Sequence, residues 1–186
     1  MKRLVYPFAE KTVRDLRAGE EVLISGQIVT GRDRLHKYLF EGGNPPVSLK
    51  DGAMYHCGPV VTPDGSRIIA AGPTTSSREE PYTADIIRKH GLRLIIGKGG
   101  MGKRTLEACA ECGCAYLQTV GGAAALLAKT VTAVKGVCFL EDFGPAEAMW
   151  ILEVKDMPAV VGMDSHRTSL FEQIKEKSLY NLSKLI

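Results

Sequence analysis

The chain alternates between short apolar runs and longer stretches in which apolar residues recur every three or four positions. Short apolar runs predict β-strands, and the longer periodic stretches predict amphipathic helices. We predict strands at residues 21–29, 67–71, 92–96, 115–119, 137–140, 149–154 and 159–162. We predict helices at residues 32–40, 82–90, 105–112 and 169–186, and a turn followed by a helix at residues 121–129. Alternation of this kind is typical of an α/β fold.

Residues that favour helix ends support several of these helices. Thr30 is a candidate N-cap for the helix at 32–40. Pro81 and Gly91 frame the helix at 82–90, because proline favours the first turn of a helix and glycine the position just past its end. In the middle of the chain the order strand, helix, strand, helix, strand predicts a parallel sheet that binds ligands at the carboxyl ends of its strands.

Length and composition are those of an ordinary globular protein. With 186 residues, of which 45% are hydrophobic and 24% charged, the chain suits one domain, residues 1–186, with its own core. The small net charge of +3, without a basic run or an aromatic platform, argues against a nucleic-acid partner. No apolar stretch reaches the length of a membrane span, and the first residues lack the apolar core of a signal peptide. We therefore expect a cytoplasmic protein without a membrane partner.

The five cysteines lie at positions 57, 109, 112, 114 and 138. An odd number of cysteines in a chain without a signal peptide argues against a disulfide framework. Cys109, Cys112 and Cys114 have a spacing that resembles metal ligands, but they lie where a predicted helix ends at Gly113. Because small buried cysteines are common in protein cores, we interpret these three as core residues and expect no metal site on this chain.

A glycine-rich turn at residues 97–102, Gly-Lys-Gly-Gly-Met-Gly, follows the predicted strand 92–96. Glycines in such a turn let backbone N–H groups approach an anion. The spacing fits the dinucleotide-binding pattern and nearly fits the P-loop, but each pattern lacks a required residue. The P-loop needs Ser or Thr where this chain has Arg104, and the acidic residue expected about 20 positions beyond the glycines is missing. The turn therefore predicts the binding of a short anion such as a carboxylate.

Polar clusters follow three of the predicted strands and are expected to meet at one edge of the sheet. They are residues 30–33, with His36 one helical turn further on, residues 72–78, and the turn that contains Lys98. Arg32, Arg78 and Lys98 gathered in one cleft would suit a dicarboxylate, because guanidinium groups bind carboxylates through paired hydrogen bonds.

Each cluster also has an ordinary structural interpretation. Residues 74–77 are typical of a capping loop, and Arg32 could form a surface ion pair with Asp33 at a helix start. Three histidines, taken singly, are typical of structural residues: His36, His56 and His166. It is the joint position of the clusters that favours a ligand site.

Together these motifs resemble the class I fumarase and tartrate dehydratase family, in particular its β subunit, which is equivalent to the C-terminal domain of single-chain members. The matching segments are Gly-Arg-Asp at 31–33, Gly-Pro-Thr-Thr-Ser-Ser-Arg at 72–78, the turn at 97–102, and residues 147–158 and 163–166. The resemblance extends from about Ser25 to Leu170. It departs from the expected Asp-x-His-Gly-Asn-Ser at residues 164–169, which read Asp-Ser-His-Arg-Thr-Ser and leave the role of that loop open.

The resemblance implies both a fold and a reaction. The expected fold is α/β, a three-layer "swivelling" β/β/α domain with a parallel central sheet. The expected function is that of the β subunit of an iron–sulfur-dependent hydro-lyase, a fumarate hydratase that converts the small dicarboxylate fumarate reversibly to malate and is active only with its α subunit. The α subunit is expected to hold the [4Fe-4S] cluster through three cysteines. The assembly is expected to be a dimer or an α2β2 complex.

The resemblance also implies roles for particular residues. Thr74 is the expected catalytic base, assisted by Lys98. The side chains expected to bind the substrate are Arg32, Thr75, Arg78 and Lys98. A threonine hydroxyl is a poor base in water, so nearby cations must stabilise its alkoxide character. The positive charges of Lys98 and Arg78 could supply this stabilisation.

Three alternatives remain open from the sequence. An L-tartrate dehydratase β subunit would use the same machinery on a substrate with one more hydroxyl. A nucleotide-binding module would use the glycine turn without hydro-lyase chemistry. A structural assembly subunit would carry the polar clusters without using them.

Overall fold

The computed structural model describes residues 1–185 and has a mixed α/β architecture. Its strands are β1 (Lys2–Val5), β2 (Glu21–Thr30), β3 (Ala53–Tyr55), β4 (Val60–Val61), β5 (Ile68–Ala70), β6 (Leu94–Gly97), β7 (Ala115–Gln118), β8 (Val131–Cys138) and β9 (Met149–Met163). Its helices are α1 (Glu10–Arg14), α2 (Asp33–Phe40), α3 (Glu80–His90), α4 (Lys103–Cys112), α5 (Ala124–Ala128), α6 (Leu140–Phe143) and α7 (Leu170–Leu182). A 3₁₀ helix, Ser76–Glu79, precedes α3. Within residues 1–185, no helix has the length and apolar character needed to cross a membrane.

Seven strands form one mixed sheet in the order β1-β2-β3-β6-β7-β9-β8. The neighbours from β1 to β7 are parallel, whereas β9 runs antiparallel to β7 and β8. Because β9 also pairs with β2, the strands β2, β3, β6, β7 and β9 form a closed ring of pairings. A separate two-stranded sheet contains β4 and β5. The predicted α/β class is confirmed. The central sheet is mixed rather than parallel throughout as predicted, because β9 runs antiparallel to β2, β7 and β8.

Apolar side chains cover both faces of the central strands. Leu94 and Ile96 of β6 belong to the core on one face, and Ile95 belongs to the core on the other, because successive side chains of a strand point to opposite faces. The second core packs the sheet against helices through residues such as Leu35 of α2 and Ile87 of α3. Burial on both faces explains why β6 reads as a continuous apolar run.

Several predicted helix ends are confirmed. Gly91 and Gly113 follow α3 and α4 in the left-handed conformation, with φ of 67° and 66°, which glycine adopts without steric cost. Pro81 lies in the first turn of α3. Ser169 begins α7, where its hydroxyl accepts a hydrogen bond from the N–H of Glu172.

The two strands predicted at 149–154 and 159–162 are one strand, β9. The polar interval between them predicted an interruption, but it forms a bulge instead. Asp156 has a φ of 52°, and its N–H donates to the hydroxyl of Ser25 on β2 at 2.9 Å. The register of the two strands shifts at this point and pairing then continues, as expected for a β-bulge.

Two further predictions are wrong. The strand predicted at 137–140 lies earlier in the chain: β8 runs from Val131 to Cys138, and Leu140 begins α6. Thr30 does not cap α2, whose N-cap position is Arg32. The Thr30 hydroxyl instead donates to the carbonyl oxygen of Ala148 (3.2 Å) and accepts from the N–H of Trp150 (3.0 Å). These two bonds fasten the end of β2 to the start of β9.

Candidate active site

The carboxyl ends of parallel strands bring the predicted site residues to one edge of the sheet. β2 ends at Thr30, two residues before Arg32, and β6 ends at Gly97, directly before Lys98. Between them β3 ends at Tyr55, whose partner on β2 is Thr30. Parallel strands present their carboxyl ends at the same edge, where ligands of α/β proteins bind. The clusters after β2 and β6 therefore lie on either side of β3.

Residues 72–78, which we name the threonine loop, are fastened to this edge by backbone hydrogen bonds. The N–H of Thr74 donates to the carbonyl oxygen of His56 at 2.6 Å, and the N–H of Ser76 donates to the carbonyl oxygen of Lys98 at 2.9 Å. The loop therefore crosses the ends of β3 and β6, and it brings the second predicted cluster next to the third.

The route by which the threonine loop reaches this edge differs from the prediction. We expected it to follow a buried strand of the main sheet at 67–71. Instead β5 pairs with β4 in the separate sheet, and Ile69 is exposed. An antiparallel bridge between Cys57 and Pro73, together with the hydrogen bond from Thr74, holds the loop in place.

The two predicted arginines are each held by a carboxylate of this chain. Arg32 Nε lies 3.4 Å from Glu147 Oε1, and Arg78 Nη2 lies 3.0 Å from Asp33 Oδ2. The suggested surface pair between Arg32 and Asp33 is therefore wrong, because Asp33 is taken by Arg78. The Arg32 guanidinium also packs against Gly58. A side chain at position 58 would not fit, because its Cβ would lie 2.5 Å from Arg32 Nη1. Arg32 Nε has no hydrogen-bond partner within residues 1–185, and the pair formed by Arg78 is exposed. Both guanidinium groups therefore retain donors for a further carboxylate.

Lys98 differs from the arginines because it has no such partner. Among residues 1–185, no carboxylate oxygen lies within 4.0 Å of its ammonium group, and the side chain is half-buried against Gly121. The glycines that follow, Gly99 and Gly100, have φ of 80° and 78°, which residues with a Cβ rarely adopt. The turn therefore depends on its glycines, and it leaves one ammonium group without a counter-charge.

The anion expected at the glycine turn is provided in part by the protein itself. Glu80 Oε2 accepts hydrogen bonds from the N–H of Gly102 (2.7 Å) and the hydroxyl of Thr105 (2.6 Å). Glu80 Oε1 accepts from the N–H of Thr105 at 3.2 Å. A helix N-terminus favours negative charge, and here α4 obtains it from the start of α3. Lys98 is therefore the part of the turn that remains for an external anion.

The site residues are accessible to different degrees. Thr75 and Arg78 are exposed, whereas Arg32, Thr74 and Lys98 are half-buried. The capping interpretation of the loop finds little support, since Thr75 occupies the N-cap position of the 3₁₀ helix but makes no side-chain capping bond. The five residues therefore lie at the strand ends with part of each accessible, and the positive charges of Arg32 and Arg78 face the negative charges of Glu147 and Asp33.

A buried carboxyl group lies directly behind Arg78. Glu79 is fully buried, and neither of its carboxyl oxygens has a hydrogen-bond partner among residues 1–185. Burial, with a smaller contribution from the Asp33 carboxylate, raises the pKa of Glu79 to about 8. His36 Nδ1 lies 3.6 Å away but donates to the carbonyl oxygen of Arg32 (2.9 Å), and burial lowers the pKa of His36 to about 4. Both side chains are therefore uncharged near neutral pH.

Sequence patterns did not identify this buried carboxyl group or the partner of Arg32. Glu79 lies in the polar stretch Ser-Ser-Arg-Glu-Glu, which looks solvent-exposed. Glu147 lies 115 positions from Arg32, and only the fold brings the two together. The sequence offered one signal: Glu147 begins the recognised segment 147–158, whereas Glu79 lies one position beyond the motif at 72–78.

The cysteines at 109–114 lie away from the strand ends, at the end of α4. Cys109 and Cys114 are fully buried in the second core. Burial raises the pKa of the Cys114 thiol well above its ordinary value. Among residues 1–185, no three or more His, Cys, Asp or Glu side chains are arranged to hold a metal ion.

The loop at 164–169 is fastened to other parts of the chain. Asp164 Oδ1 accepts from the N–H groups of His166 (2.9 Å) and Thr168 (3.0 Å), and the His166 ring contacts the carbonyl oxygen of Arg14 at the end of α1. Arg167, which stands where the family pattern has glycine, has a φ of 64°. The departure therefore falls on a backbone position that favours glycine.

Comparisons with known proteins agree with the motifs. A family model described as "Fumarase C-terminus" matches residues 3–174. A protein of Geobacillus stearothermophilus named as a candidate class I fumarate hydratase is 51% identical over 181 residues, which cover 96% of this chain and 35% of that protein. The L(+)-tartrate dehydratase β subunit of Escherichia coli K12 is 34% identical over 179 residues, which cover 94% of this chain and 89% of that subunit.

A third relative, from Methanocaldococcus jannaschii, is named as a candidate L(+)-tartrate dehydratase β subunit. It is 37% identical over 184 residues, which cover 95% of this chain and 94% of that protein. The chain thus spans about a third of the length of the Geobacillus relative and nearly all of the two β subunits.

Proposed function

Because the chain belongs to the fumarase C-terminus family, we propose that it is the β subunit of a hydro-lyase that hydrates fumarate reversibly to malate. The observation that carries the proposal is the meeting of Arg32, the threonine loop and Lys98 at the ends of β2, β3 and β6. A dicarboxylate has two anionic groups at a fixed separation, and several cations on one surface suit it.

In this proposal the cations bind and orient the substrate. The residues that contact its carboxylates are Arg32, Thr75, Arg78 and Lys98. Charge builds up on the carboxylate next to the carbon that loses its proton, and positively charged donors fixed in advance stabilise that charge. Arg32 and Arg78 each lie beside a carboxylate of this chain, which keeps both guanidinium groups close to the strand ends where the substrate is proposed to bind.

Thr74 is proposed as the catalytic base. In the dehydration direction its deprotonated oxygen takes a proton from the carbon next to a carboxylate, and the bond between the neighbouring carbon and its hydroxyl breaks to release hydroxide. The hydroxide and the proton held by Thr74 combine to give water, which restores the base. In the hydration direction the same proton returns to carbon. We assign Lys98 the assisting role because its ammonium group has no carboxylate partner within residues 1–185, and a positive charge placed close to a hydroxyl favours its deprotonated form. The backbone contacts that join the threonine loop to Lys98 support this pairing of roles.

We propose that the iron–sulfur cluster is carried by a partner α subunit. The cysteines of this chain do not fit a [4Fe-4S] cluster, since Cys109 and Cys114 are buried in the core and Cys114 is held as a thiol. Two relatives are named as β subunits, which supports a second chain. We further propose a dimer or α2β2 assembly in the cytoplasm and the three-layer swivelling arrangement of this fold.

L-tartrate is the second candidate substrate. Two of the relatives are named for tartrate dehydratase, whereas the relative with 51% identity is named for fumarate hydratase. Nucleotide binding has less support, because the N–H groups at the start of α4 already bind Glu80.

The test is a kinetic comparison on the enzyme assembled anaerobically with its proposed α subunit, using fumarate, malate and L-tartrate. We expect Arg78→Ala and Arg32→Ala each to weaken substrate affinity by roughly ten- to a hundredfold, because each removes a charge-assisted contact. Arg88→Ala is the matched control, since Arg88 pairs with Glu111 at the far end of α3.

Unchanged substrate dependence in both Arg78→Ala and Arg32→Ala would show that these arginines do not bind the substrate. A higher kcat/KM for L-tartrate than for fumarate or malate would select the second substrate.

A further inference from the structure

His56 lies beneath the threonine loop and has no role in the chemistry proposed above. Its side chain is fully buried. Burial, together with the neighbouring His36 ring, lowers the pKa of His56 well below its ordinary value. The imidazole is therefore neutral at physiological pH. A buried neutral ring does not reach the substrate, so any role that it has must act through the residues it contacts.

The His56 ring contacts the threonine loop at Ser76. His56 Nδ1 lies 2.9 Å from Ser76 Oγ, which also accepts a hydrogen bond from the hydroxyl of Tyr116 at 3.1 Å. Ser76 is fully buried, and its oxygen fits against the end of β6 because residue 97 is glycine. A Cβ at Gly97 would lie 1.9 Å from that oxygen. The Ser76 side chain is thus fixed from three directions.

The backbone of His56 contacts the same loop two residues earlier. Its carbonyl oxygen accepts the hydrogen bond from the N–H of Thr74 at 2.6 Å. His56 therefore holds the loop at Thr74 through its backbone and at Ser76 through its ring. Only a few backbone dihedral angles lie between these two contacts, so together they restrict the backbone conformation from Thr74 to Ser76.

We propose that His56 is a positioning residue: its ring, through Ser76, keeps the threonine loop in the conformation that presents Thr74 to the substrate. The proposal rests on the proposed function, because it assigns His56 to the reaction that Thr74 carries out. Catalytic groups need such support, since a displacement of about 1 Å can lower a rate about a hundredfold.

Two substitutions break the same contact from opposite sides. Ser76→Ala removes the hydroxyl, and His56→Phe replaces the imidazole with a somewhat larger aromatic ring that has no nitrogen atoms. In the assembled enzyme we expect each to lower kcat about 10- to 100-fold with KM changed less than about threefold, because the cations that bind substrate are left in place. The double variant should be no slower than the slower single variant, because both changes abolish one interaction.

Thr83→Val is the matched control. Thr83 is fully buried on α3, and its hydroxyl donates to the carbonyl oxygen of Glu79 at 2.8 Å, just beyond the threonine loop. The control therefore loses a buried hydrogen bond close to the loop without touching the contact between His56 and Ser76. We expect its kcat to stay within about twofold of wild type even if its melting temperature falls.

Amide hydrogen exchange of the unassembled chain gives a readout that does not depend on the reaction. Exchange at Thr74 and at Ser76 should become about tenfold faster or more in Ser76→Ala and His56→Phe, and should not change in Thr83→Val. If wild-type enzyme acts on none of the three substrates, the proposed function fails, while the exchange data still decide whether His56 holds the loop. Unchanged exchange, or a normal kcat in both single variants, overturns the positioning role.

Discussion

Thr74 is the single residue on which the proposed chemistry depends most. Its N–H is held by the carbonyl oxygen of His56, and the N-cap position of the following 3₁₀ helix belongs to Thr75. We expect Thr74→Ala to fold, to assemble with its partner and to bind substrate, while kcat falls by about 10² to 10⁴, the usual scale for a general base. Turnover and melting temperature should be measured on the same anaerobic preparation.

The control for this prediction is Thr74→Ser, which keeps the hydroxyl and removes only a methyl group. It should retain turnover within about tenfold of wild type. If Thr74→Ala instead lowers the melting temperature and leaves turnover near normal, the hydroxyl has a structural role and the base must be another group.

Glu79 predicts a dependence of stability on pH that can be measured without any partner. Because its pKa is raised from 4.5 to about 8, the folded chain binds more protons than the unfolded chain between these values. Stability due to this group therefore falls as the pH rises from about 4.5 to 8. The groups that face it, namely Asp33, Arg78, Glu147 and His36, set the size of the effect.

Glu79→Gln removes this dependence, because an amide does not ionise in this range. The free energy of unfolding of Glu79→Gln relative to wild type should increase between pH 5 and pH 8 by up to a few kcal/mol, since one pKa unit corresponds to about 1.4 kcal/mol. Urea unfolding at several pH values measures the difference. A difference that stays constant over this range would mean that Glu79 is already ionised in the folded chain.

The residues recognised from sequence and those missed differ in a consistent way. Arg32, Thr74 and Lys98 were identified because each lies within a short motif at a strand end. Glu147 and Glu79 were not assigned a role, because the importance of each comes from a neighbour that only the fold provides. Local spacing reports which residues share a loop, but not which charges become buried or paired across the chain.

At the scale of elements, the start of α4 depends on a residue of another helix. Gly102, its N-cap, has no side chain, and Glu80 accepts hydrogen bonds from Gly102 and Thr105 instead. Glu80→Ala should therefore lower the free energy of unfolding by about 2–3 kcal/mol, because it leaves donors at the helix start unpaired. Glu107→Ala is the control, since Glu107 lies on α4 but makes only a surface pair with Arg167, and should cost less than about 1 kcal/mol.

Urea unfolding of both variants decides this prediction. Equal losses in Glu80→Ala and Glu107→Ala would show that the carboxylate of Glu80 contributes no more than an ordinary surface charge. In that case the original prediction, that the N–H groups at the start of α4 bind an external anion, would again be favoured.

Elements with a strong apolar pattern and clear end signals were predicted well. α3 and α4 were found between Pro81, Gly91 and Gly113, and β6 from its apolar run. The misassigned region of β9 contains polar residues whose hydrogen bonds to β2 keep it in the sheet. Short elements such as β3 offer too few residues for a period to be recognised, although β3 separates the two clusters of the site.

At the scale of the whole molecule, the proposed site lies on an accessible surface at one edge of the sheet. Thr75 and Arg78 are exposed, and water at this edge would weaken electrostatic stabilisation of a transition state. A reaction that depends on cations and a deprotonated hydroxyl requires that water be largely excluded. The chain covers 35% of the relative from Geobacillus, so most of that protein lies outside the matched region, and we expect a further domain or subunit to cover this surface in the active enzyme.

The last prediction is therefore that this chain is catalytically incomplete by itself. It should unfold cooperatively and show no hydratase activity. Residues 1–185 supply the proposed base and the carboxylate-binding residues, but they include no set of side chains arranged to hold a metal. Anaerobic treatment with iron and sulfide should leave it colourless, and activity should appear only when the α subunit is added. A stoichiometric four-iron chromophore on this chain alone would contradict the prediction. Such a cluster would require the region around Cys109, Cys112 and Cys114 to open, since these cysteines are mostly buried. The reaction centre would then lie at the end of α4 and not at the strand ends.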